Sequence, residues 1–238
     1  MKITPVERMM FNVMKAIYES GIPISFKGSM VLKACLMEAG FTDETRHTVD
    51  IDANWYSTGW PSKEQMEESI QNALRSNGIN LNVKLYRMYG ESRSAGFELS
   101  DSSSGEVLFT MDIDVNRPVV ETRIYEIDKI QFRGSGILPM ISDKLFVLSG
   151  DKIFRRIKDL LDLYYASQIY TPDWQEVLRI MKANGKTPGS FDAFLNKKDE
   201  LRHAYDKFRF EGDVYRPEFD DVYQTVLDYI ATVLPRAN

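Results

Sequence analysis

The stretch HTVDIDANW, residues 47–55, places two acids, Asp50 and Asp52, inside a run that otherwise has the composition of a β-strand. Residues two apart in a strand project from the same face at about 6 to 7 Å, so these carboxylates should lie side by side and repel each other. A divalent cation relieves that repulsion, and Mg2+ favours one or two carboxylates completed by water and phosphate oxygens. The alternative is an acidic, solvated face on an edge strand. The spacing therefore predicts either a metal site or an acidic surface.

A second acidic strand repeats this pattern further along the chain. The run FTMDIDVN, residues 109–116, contains Asp112 and Asp114. These two acids also share one strand face, so spacing alone does not decide which of them would supply a third carboxylate beside the first pair. A solvated acidic face is again the alternative for either residue.

A glycine turn precedes the first acidic strand. In FKGSMVL, residues 26–32, Gly28 and Ser29 lie between a short strand-like run and a helix-like run. A small-residue turn at a helix N-terminus offers backbone N–H groups at the positive end of the helix dipole, which favours phosphate. An ordinary tight turn is the other interpretation.

Helix and strand signals are mixed in the first half of the chain and helical in the second. Thr4, followed by proline and then Glu7, forms a capping-box pattern that predicts a helix over residues 5–19. The run RGSGILP at residues 133–139 separates strand-like from helix-like sequence. We therefore expect an α+β protein with one domain over residues 1–136 and an all-helical domain over 137–238.

Composition excludes several classes of protein. The 238 residues are 43% hydrophobic and 27% charged, which is ordinary globular usage. A net charge of -5 argues against general coating of nucleic acid but leaves a local basic groove open. Cys35 is the only cysteine, so an internal disulfide and a thiolate zinc cage are excluded. Without a long apolar run or a signal-like N-terminus, we expect a cytoplasmic protein with no membrane partner.

The order of these features resembles the nucleotidyltransferase superfamily typified by DNA polymerase beta, and within it the AbiEii/AbiGii toxin family. That family has an apolar-Lys-Gly-Gly/Ser turn and then Arg-x-Ser/Thr-x-Asp-apolar-Asp, which are FKGSMVL and RHTVDID here. Its second block, an apolar-Lys-Leu helix and then Arg-x-x-Lys-Asp-x-x-Asp-Leu, is ISDKLFVL and RRIKDLLDLY here. The matching residues are Gly28, Ser29, Arg46, Thr48, Asp50, Asp52, Lys144, Leu145, Arg155, Lys158, Asp159, Asp162 and Leu163.

Two features depart from the family pattern. The stretch from Ser29 to Asp50 is a few residues longer than in many relatives, with AGFTDETRH, residues 39–47, as the extra loop. We expect this loop to affect substrate access. The doubled acid is the other departure, and the family pattern of acid, apolar, small polar favours Asp114, with Asp112 as the alternative third ligand.

The resemblance implies a polymerase-beta-like domain, with a mixed sheet flanked by helices, whose active-site cleft is completed by the helical C-terminal domain. It implies Mg2+-dependent transfer of NMP from an NTP to an acceptor hydroxyl, with two Mg2+ ions and with a tRNA end as the acceptor in some members. It also implies a toxin of a toxin-antitoxin or phage-defence system, with a cognate antitoxin protein as partner. An inactive member that binds nucleotide or a partner, and an unrelated α+β protein with solvated acidic strands, are the alternatives.

The same resemblance assigns roles to individual residues. The implied catalytic residues are Asp50, Asp52, Asp114, Lys144 and Asp159. The implied metal ligands are Asp50, Asp52 and Asp114, with Asp112 as the alternative. The implied nucleotide-binding residues are Gly28, Ser29, Lys144, Arg155 and Lys158. Asp159 would orient Lys144 or the base. The spacing of Arg155, Asp159 and Asp162 predicts one shared helix face, and His47 is interpreted as a bystander. Scattered candidates for RNA contact are Arg87, Arg93, Arg155, Arg156 and Arg179.

Overall fold

The computed structural model of the chain forms two compact units. The first contains Met1–Glu38 and His47–Ser135, and the second contains Ala39–Arg46 and Gly136–Asn238. The residues that the structure describes are 3–57, 59, 61–89, 94–115, 119–210 and 216–233. Arg93, one of the candidate RNA contacts, lies outside these ranges.

The first unit is a mixed sheet with three helices. Its helices are α1 (Pro5–Glu19), α2 (Gly28–Glu38) and α3 (Lys63–Ser76). Its strands are β1 (Ile24–Lys27), β2 (Asp50–Trp55), β3 (Leu81–Tyr89), β4 (Ser94–Asp101), β5 (Val107–Asp114), β6 (Thr122–Ile127) and β7 (Ile130–Ser135). The predicted helix over residues 5–19 is confirmed, and Thr4 and Glu7 form the expected reciprocal capping box at its start.

The seven strands follow the order β3-β4-β5-β2-β1-β7-β6. β2 pairs in parallel with β5 and β1 pairs in parallel with β7, whereas the other neighbours are antiparallel. β2 is therefore the central strand of the sheet. Its apolar residues Ile51 and Ala53 are fully buried, as are Met111 and Ile113 of β5. This apolar face belongs to the core, which leaves the polar residues of both strands on the opposite face.

The second unit is helical apart from its connecting segments. Its helices are α4 (Ile137–Leu148), a 3-10 helix (Ile153–Arg155), α5 (Ile157–Ala166), α6 (Trp174–Ala183), α7 (Asp192–Asn196), α8 (Lys198–Lys207) and α9 (Phe219–Val233). α4 packs against α5 and α6, and α5 also packs against α9. The segment Ala39–Arg46, from the extra loop, groups with these helices. A mixed sheet followed by a helical region confirms the predicted α+β fold class.

One further property follows from helix length and hydropathy. Within the described ranges, no helix combines the length and the apolar character that crossing a membrane requires.

Candidate active site

Asp50 and Asp52 lie on the central strand of the sheet and not on an edge. Their side chains are half-buried on one face of β2, while Ile51 and Ala53 between and beside them are buried on the other. Charged residues on an edge strand protect a protein from aggregation, but β2 is paired on both sides. The edge-strand interpretation of this acidic pair is therefore wrong, and the acids need another explanation.

The strand register decides which acid of β5 accompanies the pair. Asp52 lies opposite Asp112, whereas Asp114 lies opposite Asn54. Neighbouring strands are about 4.8 Å apart, so side chains at paired positions on one face are close neighbours. Asp112 is therefore the acid of β5 that lies beside Asp52.

Asp112 is an incompletely satisfied acid. Its Oδ1 atom is buried and has no hydrogen-bond partner within the described ranges, and its Oδ2 atom is 3.4 Å from a guanidinium nitrogen of Arg87. Burial raises the pKa of Asp112, Arg87 lowers it in part, and the charges of Asp114 and Asp50 raise it further. An unpartnered carboxylate oxygen among like charges is a position that a cation would stabilise.

Asp114 is already engaged by a lysine. The Lys27 ammonium donates to Asp114 Oδ2 at 2.6 Å and to Asn54 Oδ1 at 2.8 Å. The family pattern favoured Asp114 as the third carboxylate, whereas the strand register and these contacts favour Asp112, the alternative. The sequence could not distinguish them because both acids share one face of one strand.

The glycine turn meets the acidic pair directly. Gly28 has a φ of +71°, and a Cβ atom on it would lie 2.5 Å from Asp52 Oδ2. Two independent constraints, the left-handed backbone and the lack of space, therefore require glycine. Gly28 and Ser29 are the first two residues of α2. The N–H groups at the N-terminus of that helix therefore lie beside Asp52.

A buried network supports the other acid of the pair. The Thr48 hydroxyl donates a short hydrogen bond to the Asp50 carboxylate, and the Thr48 N–H donates to Glu7 Oε1 at 3.4 Å. Glu7 is fully buried, and the same oxygen accepts from Lys33 Nζ at 2.6 Å and lies 3.4 Å from His47 Nδ1. Burial alone would raise the pKa of Glu7, but the Lys33 ammonium holds it below its usual range. His47 is thus packed against a buried carboxylate.

Sequence reasoning missed Glu7 and Lys33 as parts of this network. The capping box alone accounts for Glu7 in the sequence, so the sequence gives no signal of a second role. Lys33 did carry a signal, since a single lysine within the apolar helical run VLKACL requires a buried partner if that helix is in the core.

The second unit holds its own cluster of buried charges. Asp162 is 2% exposed, and its two oxygens accept from Arg46 Nε at 3.0 Å and from Arg46 Nη2 at 3.1 Å. Lys144 Nζ donates to Asp162 Oδ2 at 2.6 Å and to Asp159 Oδ1 at 3.3 Å. Burial would raise the pKa of Asp162, but Arg46 and Lys144 together lower it to about 2. Burial would lower the pKa of Lys144, but Asp162 and Asp159 raise it above its usual value.

Two expectations about this region change. Asp162 holds Lys144 more closely than Asp159 does, although Asp159 was expected to orient it. The predicted shared face of Arg155, Asp159 and Asp162 is confirmed for the two acids, which both contact Lys144 Nζ, and is wrong for Arg155. Arg155 is exposed and ends a 3-10 helix before α5 begins at Ile157, while Asp162 is buried. A 3-10 turn interrupts the helical spacing that the prediction assumed.

The remaining predicted residues have simple positions. Lys158 is exposed on α5. Arg156 is also exposed, and its Nη1 atom lies 4.0 Å from Asp159 Oδ2. Arg179 lies on α6, in the second unit, while Arg87 lies on β3, beside Asp112. These arginines do not form one patch on one element.

The acids of β2 and β5 form a donor set of carboxylate oxygens, the ligand type that hard divalent cations prefer. In the described part of the chain, no three Asp, Glu, His or Cys side chains are arranged to hold a metal ion as they stand. Mg2+ usually takes only one or two carboxylates and completes its shell with water and substrate phosphates. The paired acids Asp50 and Asp52, with the unpartnered oxygen of Asp112, fit that mode of binding and not a preformed protein cage.

Comparisons with known proteins show what this fold resembles. No protein-family model matches the chain, and no curated protein matches it in sequence, so membership of the AbiEii/AbiGii family is not shown. Among solved structures, the nucleotidyltransferase toxin MenT4 from Mycobacterium tuberculosis H37Rv is similar, with a TM-score of 0.58 and 14% sequence identity. The similarity covers 96% of this chain and 82% of that chain. The chain therefore has a nucleotidyltransferase-like fold, as the order of its sequence motifs predicted.

Proposed function

We propose that this protein is a nucleotidyltransferase that moves NMP from an NTP to an acceptor hydroxyl. The observation that carries the proposal is the contact between a helix-initiating glycine turn at Gly28 and the acid Asp52, beside Asp50 on the central strand. A phosphate-binding turn next to paired carboxylates is the arrangement that polyphosphate chemistry requires. The fold likeness to MenT4, described as a nucleotidyltransferase toxin, supports the same activity.

The acidic strands would bind Mg2+ through Asp50 and Asp52, with Asp112 as the third carboxylate. Two bound ions would supply charge neutralisation at the attacking and leaving oxygens. Asp112, whose Oδ1 atom has no hydrogen-bond partner among the described residues, would complete the metal site beside the acceptor hydroxyl and so favour loss of the hydroxyl proton to water. Asp114 would position Lys27 and leave the metal to the other three acids.

The phosphates would be bound by backbone and by cations. The N–H groups at Gly28 and Ser29 would bind phosphate oxygens at the start of α2. Lys144, held by two carboxylates, is the proposed cation for the β- and γ-phosphates, and the exposed Arg155 and Lys158 are further nucleotide contacts. These groups would act by positioning and by electrostatic stabilisation.

The biological role that we propose is that of a toxin in a toxin-antitoxin or phage-defence system, as a member of the AbiEii/AbiGii family. The acceptor would be RNA, with a tRNA end as the first candidate, and an antitoxin protein would be the partner. Both proposals rest on the motif resemblance and on the fold likeness to a toxin. The NTP and RNA substrates would place the protein in the cytoplasm.

A second candidate is an inactive protein of the same fold that binds nucleotide or a partner. The observation that favours it is the lack, among the described residues, of three side chains arranged to hold a metal. The interpretation as an unrelated α+β protein loses its basis, because the acids lie on the central strand of a nucleotidyltransferase-like fold.

Labelled nucleotides separate these candidates. The protein is incubated with each α-labelled NTP, Mg2+ and total tRNA, and wild type is compared with Asp50→Asn and Asp52→Asn. Asp128→Asn is the matched control, because Asp128 lies in the β6–β7 turn at a φ of +48°, which asparagine also adopts. We expect labelled RNA with wild type and the control, and at least a 100-fold loss in the other two variants. Binding of nucleotide without transfer of the label to RNA would favour the inactive candidate. If the protein neither binds nucleotide nor transfers the label, both candidate functions are wrong.

A further inference from the structure

A cavity of about 470 Å3 lies in the second unit, between the Ala39–Arg46 segment and α5. Its volume is within the range of ligand-binding pockets. Its main lining residues are Phe41, Asp43, Glu44, Tyr164, Tyr165 and Pro217. Aromatic rings and carboxylates therefore share one small concave surface.

The aromatic wall of this cavity is fixed by ring contacts. The rings of Phe41 and Tyr165 are 6.1 Å apart at 77°, and those of Tyr164 and Tyr165 are 5.2 Å apart at 67°. Tyr165 is 3% exposed, so it anchors the other two rings to the core. Aromatic faces held in this way attract cations, and arginine most often provides the cation in proteins.

The acidic wall of the cavity, Asp43 and Glu44, is adjacent in sequence to buried residues. Thr45 and Arg46, which follow the two acids, are 4% and 6% exposed, and Arg46 is tied to Asp162 by two hydrogen bonds. Asp43 and Glu44 have no ion-pair partner within the described ranges. Their segment is fixed at its other end by the buried Arg46. Two uncompensated carboxylates on a rigid support are preorganised to receive a cation.

Charge excludes phosphate-bearing ligands from this cavity. None of the described residues that line it is a lysine or an arginine, so its two carboxylates face no compensating charge from the wall. An NTP or an RNA backbone would be repelled there. The ligand that fits both walls is a planar cation with several N–H donors.

We propose that this cavity binds an arginine side chain from a basic segment of a partner protein. The guanidinium plane stacks on the rings of Phe41 and Tyr164, while its N–H groups donate to Asp43 and Glu44. Arginine is also among the residues that contribute most to binding at protein interfaces. This proposal does not depend on nucleotidyl transfer, because every residue that it uses lies outside the proposed reaction.

Peptide binding to the full chain tests the site. The probe is acetyl-Gly-Arg-Gly-Arg-Gly-amide, and its matched control replaces both arginines with citrulline, which keeps the shape and removes the charge. Binding is measured by ligand-observed NMR and by calorimetry at low and high salt. We expect at least tenfold tighter binding of the arginine peptide at low salt and a weaker preference at high salt.

Variants assign the binding to this cavity. Asp43→Asn with Glu44→Gln should abolish the preference for arginine over citrulline, and Tyr164→Leu should reduce it severalfold. The matched control is Asp199→Asn with Glu200→Gln, which removes the same charge from exposed positions on α8 and should leave the preference unchanged. Thermal unfolding confirms that each variant is folded.

Three results would overturn the proposal. The first is equal or undetectable binding of the two peptides by wild type. The second is an arginine preference that survives the double substitution at Asp43 and Glu44. The third is binding of adenosine or uridine, but not of the arginine peptide, which would assign the cavity to a nucleobase.

Discussion

Gly28 and Asp52 are so close that a single methyl group on the glycine would displace the carboxylate. The added Cβ would lie 2.5 Å from Asp52 Oδ2, a distance that side chains do not tolerate. The turn that begins α2 and the acid on the central strand therefore form one structural unit, although the sequence separates them by a helix and a loop.

Gly28→Ala should separate the effect of backbone strain from the effect of the displaced acid. Alanine at a positive φ costs about 1 to 2 kcal/mol of unfolding free energy, measured by chemical denaturation. Gly21→Ala is the matched control, because Gly21 has a φ of +69° and nothing within 4 Å of its added Cβ. Gly28→Ala should lose at least as much stability as Gly21→Ala, because the clash with Asp52 adds to the same backbone strain, and only Gly28→Ala should lose nucleotidyl transfer, by at least 100-fold. Equal activity in the two variants would contradict the proposed site.

Asp112→Asn and Asp114→Asn should have opposite effects on stability and on nucleotidyl transfer. Asp112 lies among like charges, its Oδ1 atom has no hydrogen-bond partner in the described part of the chain, and its contact with Arg87 is exposed, so its replacement should preserve or raise stability at neutral pH while lowering transfer about 100-fold. Asp114 binds Lys27, so Asp114→Asn should lower the free energy of unfolding but retain more nucleotidyl transfer than Asp112→Asn does. Urea denaturation measures the first quantity, and incorporation of labelled nucleotide into RNA measures the second.

Metal addition gives a readout of the same pair that does not depend on activity. A ligand that binds only the folded state raises the unfolding temperature. We expect Mg2+ or Mn2+ to raise the unfolding temperature of wild type and Asp114→Asn, and EDTA to reverse it. The shift should be lost in Asp112→Asn. Loss in Asp114→Asn alone would restore Asp114 as the third ligand.

The sequence predicted those features that local rules control. The capping box of Thr4 and Glu7 starts α1, and the two-residue period of β2 places Asp50 and Asp52 on one face. The choice between Asp112 and Asp114 depends on which residue of β5 pairs with Asp52, and strand register is a property of tertiary structure. Local spacing could not supply it.

The buried charges were harder to predict for a related reason. Glu7 fulfils a local capping rule and also pairs with Lys33, 26 residues away along the chain. Asp162 pairs with Arg46, 116 residues away. A charged residue in an apolar helix indicates that a partner exists, but the sequence does not identify that partner.

Glu7→Gln should be strongly destabilising, because it leaves the Lys33 ammonium buried without its counter-charge. Breaking a buried ion pair from one side costs about 3 to 5 kcal/mol, whereas replacing both partners with apolar residues is often nearly neutral. We therefore expect Glu7→Leu with Lys33→Met to recover much of the stability that Glu7→Gln loses, measured by urea denaturation. A double variant as unstable as the single one would indicate that the contact of Glu7 with Thr48, and not the ion pair, is the important one.

Asp162→Asn should make stability less dependent on acid pH. In the folded state, Arg46 and Lys144 lower the pKa of Asp162 to about 2, well below its ordinary value of 3.8. A lowered pKa contributes stability that is present above about pH 4 and is lost as the pH falls toward 2. At pH 7 the variant leaves Arg46 and Lys144 facing each other across a neutral amide, so it should lose about 3 to 5 kcal/mol of unfolding free energy. The difference in unfolding free energy from wild type should narrow between pH 4 and pH 2 in denaturation experiments.

Asp159→Asn, at a half-buried acid 3.3 Å from Lys144, is the control and should lose much less stability. A difference from wild type that stays constant over this range would show that Asp162 acts by packing and not by charge.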